Sequence, residues 1–212
     1  MLVTAFAVWF GWAMHNAREQ RKGVAWVEES RGTVWYDYQI DGKKPNPDAT
    51  PPGPKWVRDI LGIDFMDDVV LVDFMGKRVS DVTPLAGLEN LQFLSLAGTQ
   101  VSDVTPLAGL KNLQWLDLYD TPVSDVTPLA GLKNLEELNL IGTQVSDVTP
   151  LAGLKNLEEL SLSGTPVSDV TPLAGLKNLE ELFLSDTPVS KEQVTQLQQA
   201  LPNCRISWSP PE

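Results

Sequence analysis

Histidine and cysteine each occur once in the 212 residues, as His15 and Cys204. A lone histidine beside an apolar stretch, far along the chain from any candidate nucleophile, leaves a Ser-His-Asp or Cys-His arrangement without its base. The same scarcity leaves a zinc site short of ligands. One cysteine forms no internal disulfide, so cysteine usage carries no information about the redox compartment, and Cys204 reads as a small buried apolar residue and not as a reactive thiol. A Gly-x-Gly-x-x-Gly phosphate loop is missing as well, because Gly87, Gly109, Gly131, Gly153 and Gly175 recur at a fixed interval instead of clustering. Positive charge is scarce: the net charge is -12, with 6 basic against 17 acidic residues from Val79 onward and 10 against 11 before it. A phosphate backbone requires a basic stripe, so nucleic acid is an improbable partner. The expectation is a non-enzymatic chain with no catalytic residues, no metal site and no cofactor.

What the chain has in place of these is a repeat. From Val79 to Pro188 a 22-residue unit, Val-Ser-Asp-Val-Thr-Pro-Leu-Ala-Gly-Leu-(Lys/Glu)-Asn-Leu-x-x-Leu-x-Leu-x-x-Thr-(Gln/Pro), is written five times without an insertion, starting at Val79, Val101, Val123, Val145 and Val167. A fixed period of this length specifies stacked coils, each burying its apolar face against its neighbours. The Leu-x-Leu pairs (Leu94/Leu96, Leu116/Leu118, Leu138/Leu140, Leu160/Leu162, Leu182/Leu184) have the period of two of a short strand, with the leucines inward. The Thr-Pro that follows Asp-Val in every copy starts a short helical turn where a missing N–H does no harm, and the preceding Ser and Asp can cap it. The columns Asp81, Asp103, Asp125, Asp147, Asp169 and Lys111, Lys133, Lys155, Lys177 are read as caps and solvated convex-side charges.

This unit resembles the leucine-rich repeat, and within it the 22-residue type of bacterial internalin-like proteins, which also read Ser-Asp-(Val/Ile)-Thr-Pro-Leu before Leu-x-x-Leu-x-Leu. The resemblance covers roughly the last two-thirds of the chain. It implies an α/β-type solenoid: an arc with a parallel β-sheet on its concave face, short 3-10 turns on its convex face, and a cap at each end. One departure stands out. Those families usually carry Asn where this chain has Thr99, Thr121, Thr143, Thr165 and Thr187, and a Thr hydroxyl satisfies fewer backbone groups than a stacked Asn. The same fold with a somewhat different corner is expected.

Four segments are predicted: 1–23, 24–78, 79–188 and 189–212. Met1 to Met14 is apolar almost throughout and gives way to His15, Arg18, Arg21 and Lys22. About 14 apolar residues fall short of the roughly 20 that span a bilayer, yet Trp9 and Trp12 next to a basic flank suit a membrane interface. Three readings remain open: a spanning helix of which part lies upstream of Met1, a signal or interfacial segment, and an ordinary buried helix. The first is preferred, making the chain a single-pass membrane-anchored protein. The segment also resembles the start of small membrane-anchored bacterial leucine-rich-repeat proteins, through the Arg-Glu-Gln-Arg stretch and Gly32-Thr33-Val34-Trp35-Tyr36-Asp37-Tyr38. Residues 16–30 then read as a polar helix leaving the membrane, ended by Gly32. Thr33 to Ile40 alternates as a half-buried strand, Asp41-Gly42 makes a turn, Lys43 to Pro54 is a proline-rich loop, and Lys55 to Leu61 forms a short helix with Trp56 and Ile60 inward. Val72 and Phe74 lie 22 residues before Leu94 and Leu96 and take the two leucine slots of an amino-terminal cap. At the other end Val194, Leu197 and Leu201 mark a helix over residues 190–200, after which Cys204 and Ile206 lie 22 residues beyond Leu182 and Leu184. Seven parallel strands are predicted.

The copies differ at the outward positions beside the inward leucines: Phe93, Trp115, Glu137, Glu159, Glu181 in one column; Ser95, Asp117, Asn139, Ser161, Phe183 in the next; Ala97, Tyr119, Ile141, Ser163, Ser185 in the third. Strands about 4.8 Å apart make each column a ladder of neighbours. Phe93, Trp115, Tyr119 and Ile141 form an aromatic patch, and Asp117, Glu137, Glu159, Glu181 and Phe183 complete the candidate partner-binding set. Aromatics on a rigid scaffold with an acidic rim have the composition of an interaction hot spot, whereas drift after duplication would not spare the equally exposed convex residues, which repeat almost unchanged. The chain is therefore expected to bind an unidentified protein on its concave sheet. The competing reading is a structural or cation-binding module, in which Glu137, Glu159 and Glu181, backed by Glu136, Glu158 and Glu180, collect Ca²⁺ or a basic peptide; six to eight converging oxygens are hard to obtain from a flat ladder.

Overall fold

The strands fall one coil apart because the leucines do. The computed structural model describes residues 2–41, 44–52, 62 and 67–210; Gly42, Trp56 and Ile60, with the turn and short helix expected around them, lie outside the described residues. Each repeat supplies one three-residue strand: β5 (Phe93–Ser95), β6 (Trp115–Asp117), β7 (Glu137–Asn139), β8 (Glu159–Ser161) and β9 (Glu181–Phe183). They are preceded by β4 (Val69–Asp73) and followed by β10 (Arg205–Ser207), giving the seven parallel strands. An eighth, β1 (Thr33–Tyr36), pairs antiparallel with β4, with Val34 opposite Val72. Downstream, β2 (Ile40–Asp41) and β3 (Lys44–Pro45) form a separate two-stranded ribbon. The inward leucines of every coil, Val72 and Phe74 included, are almost wholly buried in one continuous core.

Side chains close the backbone at each corner. Asp81, Asp103, Asp125, Asp147 and Asp169 each accept the backbone N–H of the threonine two residues on, at 2.8–2.9 Å, where the 3-10 turn begins. The buried threonines Thr99, Thr121, Thr143, Thr165 and Thr187 donate their hydroxyls to the leucine carbonyl three residues back, at 2.6–2.7 Å. The Thr corner thus satisfies its own coil only. Side-chain bonding between coils comes from an asparagine column elsewhere in the unit: the amides of Asn134, Asn156 and Asn178 donate to the carbonyls of Lys111, Lys133 and Lys155 at 2.9 Å. The convex lysines do the same, Lys133 bridging Ala130 O in its own coil and Gly153 O in the next at 2.7 and 3.1 Å. A Cβ at Gly153 would stand 2.7 Å from that ammonium, whereas one at Gly109 would meet nothing within 4 Å. After each strand from β4 to β9 one residue is left-handed, with Asp120 at φ 51° where its counterpart Gly142 has φ 72°.

The capping aspartates make the fold sensitive to acid. Hydrogen bonds from the side chain and backbone N–H of Thr105, Thr127 and Thr149 hold the carboxyls of Asp103, Asp125 and Asp147 below the usual aspartate range. A group whose folded pKa is depressed contributes stability above its unfolded value and loses it as pH falls through the folded one. In urea titrations the triple Ala variant at these positions is expected to be less stable than the parent at neutral pH, and the gap is expected to narrow below about pH 4. A gap that stayed constant down to about pH 2 would show that the carboxylate charge is irrelevant.

The amino-terminal helix corrects the anchor reading. α1 (Leu2–Glu29) is continuous, and among the described residues no helix is long and apolar enough to cross a membrane. Charged residues enter the helix from Arg18 onward, and its later turns are not a stalk. Ala17, Gln20, Val24 and Val27, spaced as one helical face, are buried against the first coil. A Cβ at Gly23 would lie 2.9 Å from the Leu88 side chain, and Trp26 meets Phe74 edge-on at 5.1 Å. Gln20 ties the helix to the first parallel strand, donating to Asp67 O at 2.8 Å and accepting Val69 N–H at 3.1 Å. Val8, Trp9, Phe10 and Trp12 remain exposed on the preceding turns. The helix also ends differently from expectation: Arg31, not Gly32, takes the left-handed conformation at φ 61°, while Gly32 is packed so closely that a Cβ would strike the Phe74 ring.

The carboxyl-terminal register is corrected too. Ser190 caps α2 (Lys191–Ala200), its hydroxyl accepting Gln193 N–H at 3.2 Å. This ten-residue helix replaces a five-residue 3-10 turn, and the chain returns to the sheet with Ile206, not Cys204, opposite Leu182. Cys204 N–H donates to Leu201 O just as Leu179 N–H donates to Leu176 O, so the cysteine fills the slot of Leu179. Burial, with the Glu181 charge nearby, pushes its thiol up to about 11, which leaves it inert.

Candidate interaction surface on the concave sheet

Strand register sets the outward side chains in rows. The first runs Trp35, Leu71, Phe93, Trp115, Glu137, Glu159, Glu181, Arg205 across eight strands. It is apolar over its first four positions and acidic over the next three. At its far end the Arg205 guanidinium is ion-paired with the Glu181 carboxylate. The second row runs Thr33, Asp73, Ser95, Asp117, Asn139, Ser161, Phe183, Ser207.

Members of the second row aim the third column. Asp73, Asp117 and Asn139 each accept the N–H two residues on, at 2.8, 3.0 and 3.1 Å, and so fix the chain where Met75, Tyr119 and Ile141 project. Asp117 is buried, and desolvation pushes its carboxyl up, opposed by the Tyr119 N–H and the Asn139 side chain and reinforced by the Asp73 charge. Asp117 thereby holds the backbone at Tyr119, which is 47% exposed.

The apolar end of the sheet encloses a groove of about 380 Å³, walled by Trp35, Leu71, Met75, Phe93 and Trp115, with Asp73, Ser95 and Glu137 also lining it. Of the residues expected at the site, the groove brings together Phe93, Trp115 and Glu137. Tyr119 and Ile141 follow β6 and β7 beside it, Glu159 and Glu181 continue the row away from it, and Phe183 lies on β9 in the second row. Trp35, Leu71, Asp73 and Met75 escaped the sequence reading. Extending the columns back by 22 residues would have found the last three; Trp35 arrives through antiparallel pairing, which no repeat encodes. A larger hollow of about 680 Å³ lies between α1 and the first 3-10 turn, lined by Trp9, Trp12, His15, Glu19 and Asp68 among others; it is the seam where the helix meets the first coil. Among the described residues no group of three or more His, Cys, Asp or Glu is placed to hold a metal ion.

Residues 111–153 and 155–203 match the family model for leucine-rich repeats in two copies. Internalin C2 of Listeria monocytogenes is 35% identical, with a TM-score of 0.64 over 72% of this chain and 68% of its own. This chain is a leucine-rich-repeat protein. Internalin F of the same organism is 25% identical, with a TM-score of 0.54 over 74% of this chain and 53% of its own, so the leucine-rich-repeat chain spans about two-thirds of one internalin structure and about half of the other. A TLR13–ssRNA13 complex superposes with a TM-score of 0.58 at 23% identity, over 67% of this chain and 22% of its own, a likeness of fold alone. Curated proteins yielded no match. Leucine-rich-repeat folds are typically non-enzymatic interaction scaffolds, and this one has the arc, the concave sheet and the 3-10 turns of that class.

Proposed function

We propose that this leucine-rich-repeat protein is a non-enzymatic adaptor that binds another protein on its concave sheet, through Phe93, Trp115 and Tyr119 with Trp35, Leu71 and Met75 beside them. The observation that carries the reading is the groove: five large apolar side chains from different strands and loops face one recess of about 380 Å³ on a rigid sheet, bordered by an acidic row. Large rigid side chains lose little conformational entropy on binding, and desolvated aromatic anchors dominate interface energetics. The net charge of -12 disfavours a phosphate backbone as the ligand.

The test uses the full chain, immobilised to capture a partner that is then titrated. Trp115→Ala with Tyr119→Ala is expected to weaken binding at least about thirtyfold, the equivalent of about 2 kcal/mol. Glu137→Gln with Glu159→Gln is expected chiefly to change the salt dependence. Normal capture by the aromatic double variant, together with loss of calcium-dependent thermal stabilisation in the glutamine variant, would replace the adaptor by a cation-binding module.

A further inference from the structure

The floor of the groove offers a ligand little hydrogen bonding. Trp35, Leu71, Phe93 and Trp115 stand on four adjacent strands, β1, β4, β5 and β6, so the trough runs across the sheet. The backbone N–H and C=O groups of β4, β5 and β6 are taken up by the ladders on either side, because none of the three is an edge strand. Of the polar lining, Asp73 already accepts the Met75 N–H at 2.8 Å. A peptide laid in this trough therefore gives up water from its own N–H groups and finds few acceptors in return, which is unfavourable for each buried donor. Proline has no N–H to leave unpaired. A chain rich in it presents rings and carbonyls, and the walls match both: indole faces for the rings, and the indole N–H groups of Trp35 and Trp115 as donors for the carbonyls. Pro45, on the ribbon strand β3, already forms part of the wall.

We propose that the groove receives an extended, proline-rich segment of the partner protein in the polyproline II conformation, its rings packed between Trp35 and Trp115 over Leu71 and Phe93. This rests on the concave-face reading above and specifies its partner. The dimensions agree. From Trp35 to Trp115 is three strand spacings of about 4.8 Å, or roughly 14 Å, which about four or five residues cover at about 3.1 Å each. With three residues per turn, prolines three apart share one face of such a segment and reach the floor together. Because the conformation is populated before binding, little chain entropy is lost on docking. Aromatic-lined grooves recognise proline-rich segments by this means.

The probes are N-acetyl-hexaproline amide and N-acetyl-hexaalanine amide, each titrated into the full chain by calorimetry. Hexaproline is expected to bind saturably and at least about fivefold more tightly than hexaalanine, a margin that one buried, unpaired N–H in the alanine peptide is enough to supply. Trp35→Ala and Trp115→Ala are each expected to weaken hexaproline binding about tenfold or more, while Trp12→Ser on α1 leaves it intact; unchanged melting of each variant excludes misfolding. Hexaalanine binding as well as hexaproline, an absence of saturable binding, or hexaproline binding that survives both tryptophan variants would overturn the assignment. So would self-association of the chain that hexaproline reverses, which would give the groove to the proline-rich residues 43–54 of a second copy. Any of these, with the Trp115/Tyr119 variant still losing its captured partner, removes the proline reading and leaves the adaptor standing. Hexaproline preference with partner capture indifferent to Trp115 and Tyr119 would remove the adaptor instead.

Discussion

Leu138→Ala is expected to destabilise the protein by about 2 to 5 kcal/mol, and Glu137→Ala, one residue earlier on the same strand, to change stability by no more than about 0.5 kcal/mol. Leu138 is 1% exposed and lies between Leu116 and Leu160 of the adjoining coils. Truncation leaves a cavity that two coils share, and in a solenoid each coil is held only by its neighbours, so the loss falls on two interfaces at once. Collapse cannot fill the space cheaply, because the strand backbone on both sides is fixed by the parallel ladder and by the Asn134 and Asn156 amides on the convex side. Glu137 projects from the opposite face of the same strand and is half-buried. Denaturant titration of both variants decides the matter. Equal losses would mean that the alternation of inward leucine and outward glutamate does not describe this sheet.

The repeats were legible because their signal is redundant. Five copies of Leu-x-x-Leu-x-Leu fix strand, facing and register independently, and the observed pairing of Phe93 with Trp115 and of Glu137 with Glu159 follows from the period of 22 alone. Where the period breaks, the reading weakened. After Pro188 the expected register assumed that α2 occupies the length of a 3-10 turn; the real helix consumes more chain, and Ile206 moved into the place assigned to Cys204. In the groove, the periodic residues Phe93 and Trp115 stand where the 22-residue columns place them, while Trp35 has no counterpart in the columns, since an antiparallel strand from outside the repeat delivers it. The column places Asp117 on the concave face, and only the structure shows that its carboxylate also accepts the Tyr119 N–H. The amino-terminal helix was misjudged for a related reason. Its apolar residues up to Met14 dominate a reading by composition, whereas the face that matters is sparse: alanine, glutamine and two valines, with glycine where the helix touches Leu88.

That face yields the second large effect. Val27→Asp is expected to cost about 3 kcal/mol or more, since Val27 is fully buried and a carboxylate there would either stay charged in an apolar seam or be forced to protonate. The loss should spread beyond one side chain: Trp26 stacks edge-on against Phe74, Gln20 holds the backbone at Asp67 and Val69, and β1 follows directly from the helix to pair with β4. Loosening the last turns of α1 therefore uncovers the first coil of the solenoid and frees one wall of the groove, Trp35, at the same time. Trp12→Ser, on the same helix but 60% exposed, is expected to leave stability within about 0.5 kcal/mol. Thermal melts of the two variants, with amide exchange followed over residues 69–73, separate a cap from a stalk. A helix that merely led away from the domain would give a neutral Val27→Asp and unaltered protection in β4. A helix that seals the apolar end of the stack gives early exchange there and weaker partner capture by the groove that β1 and β4 help to wall.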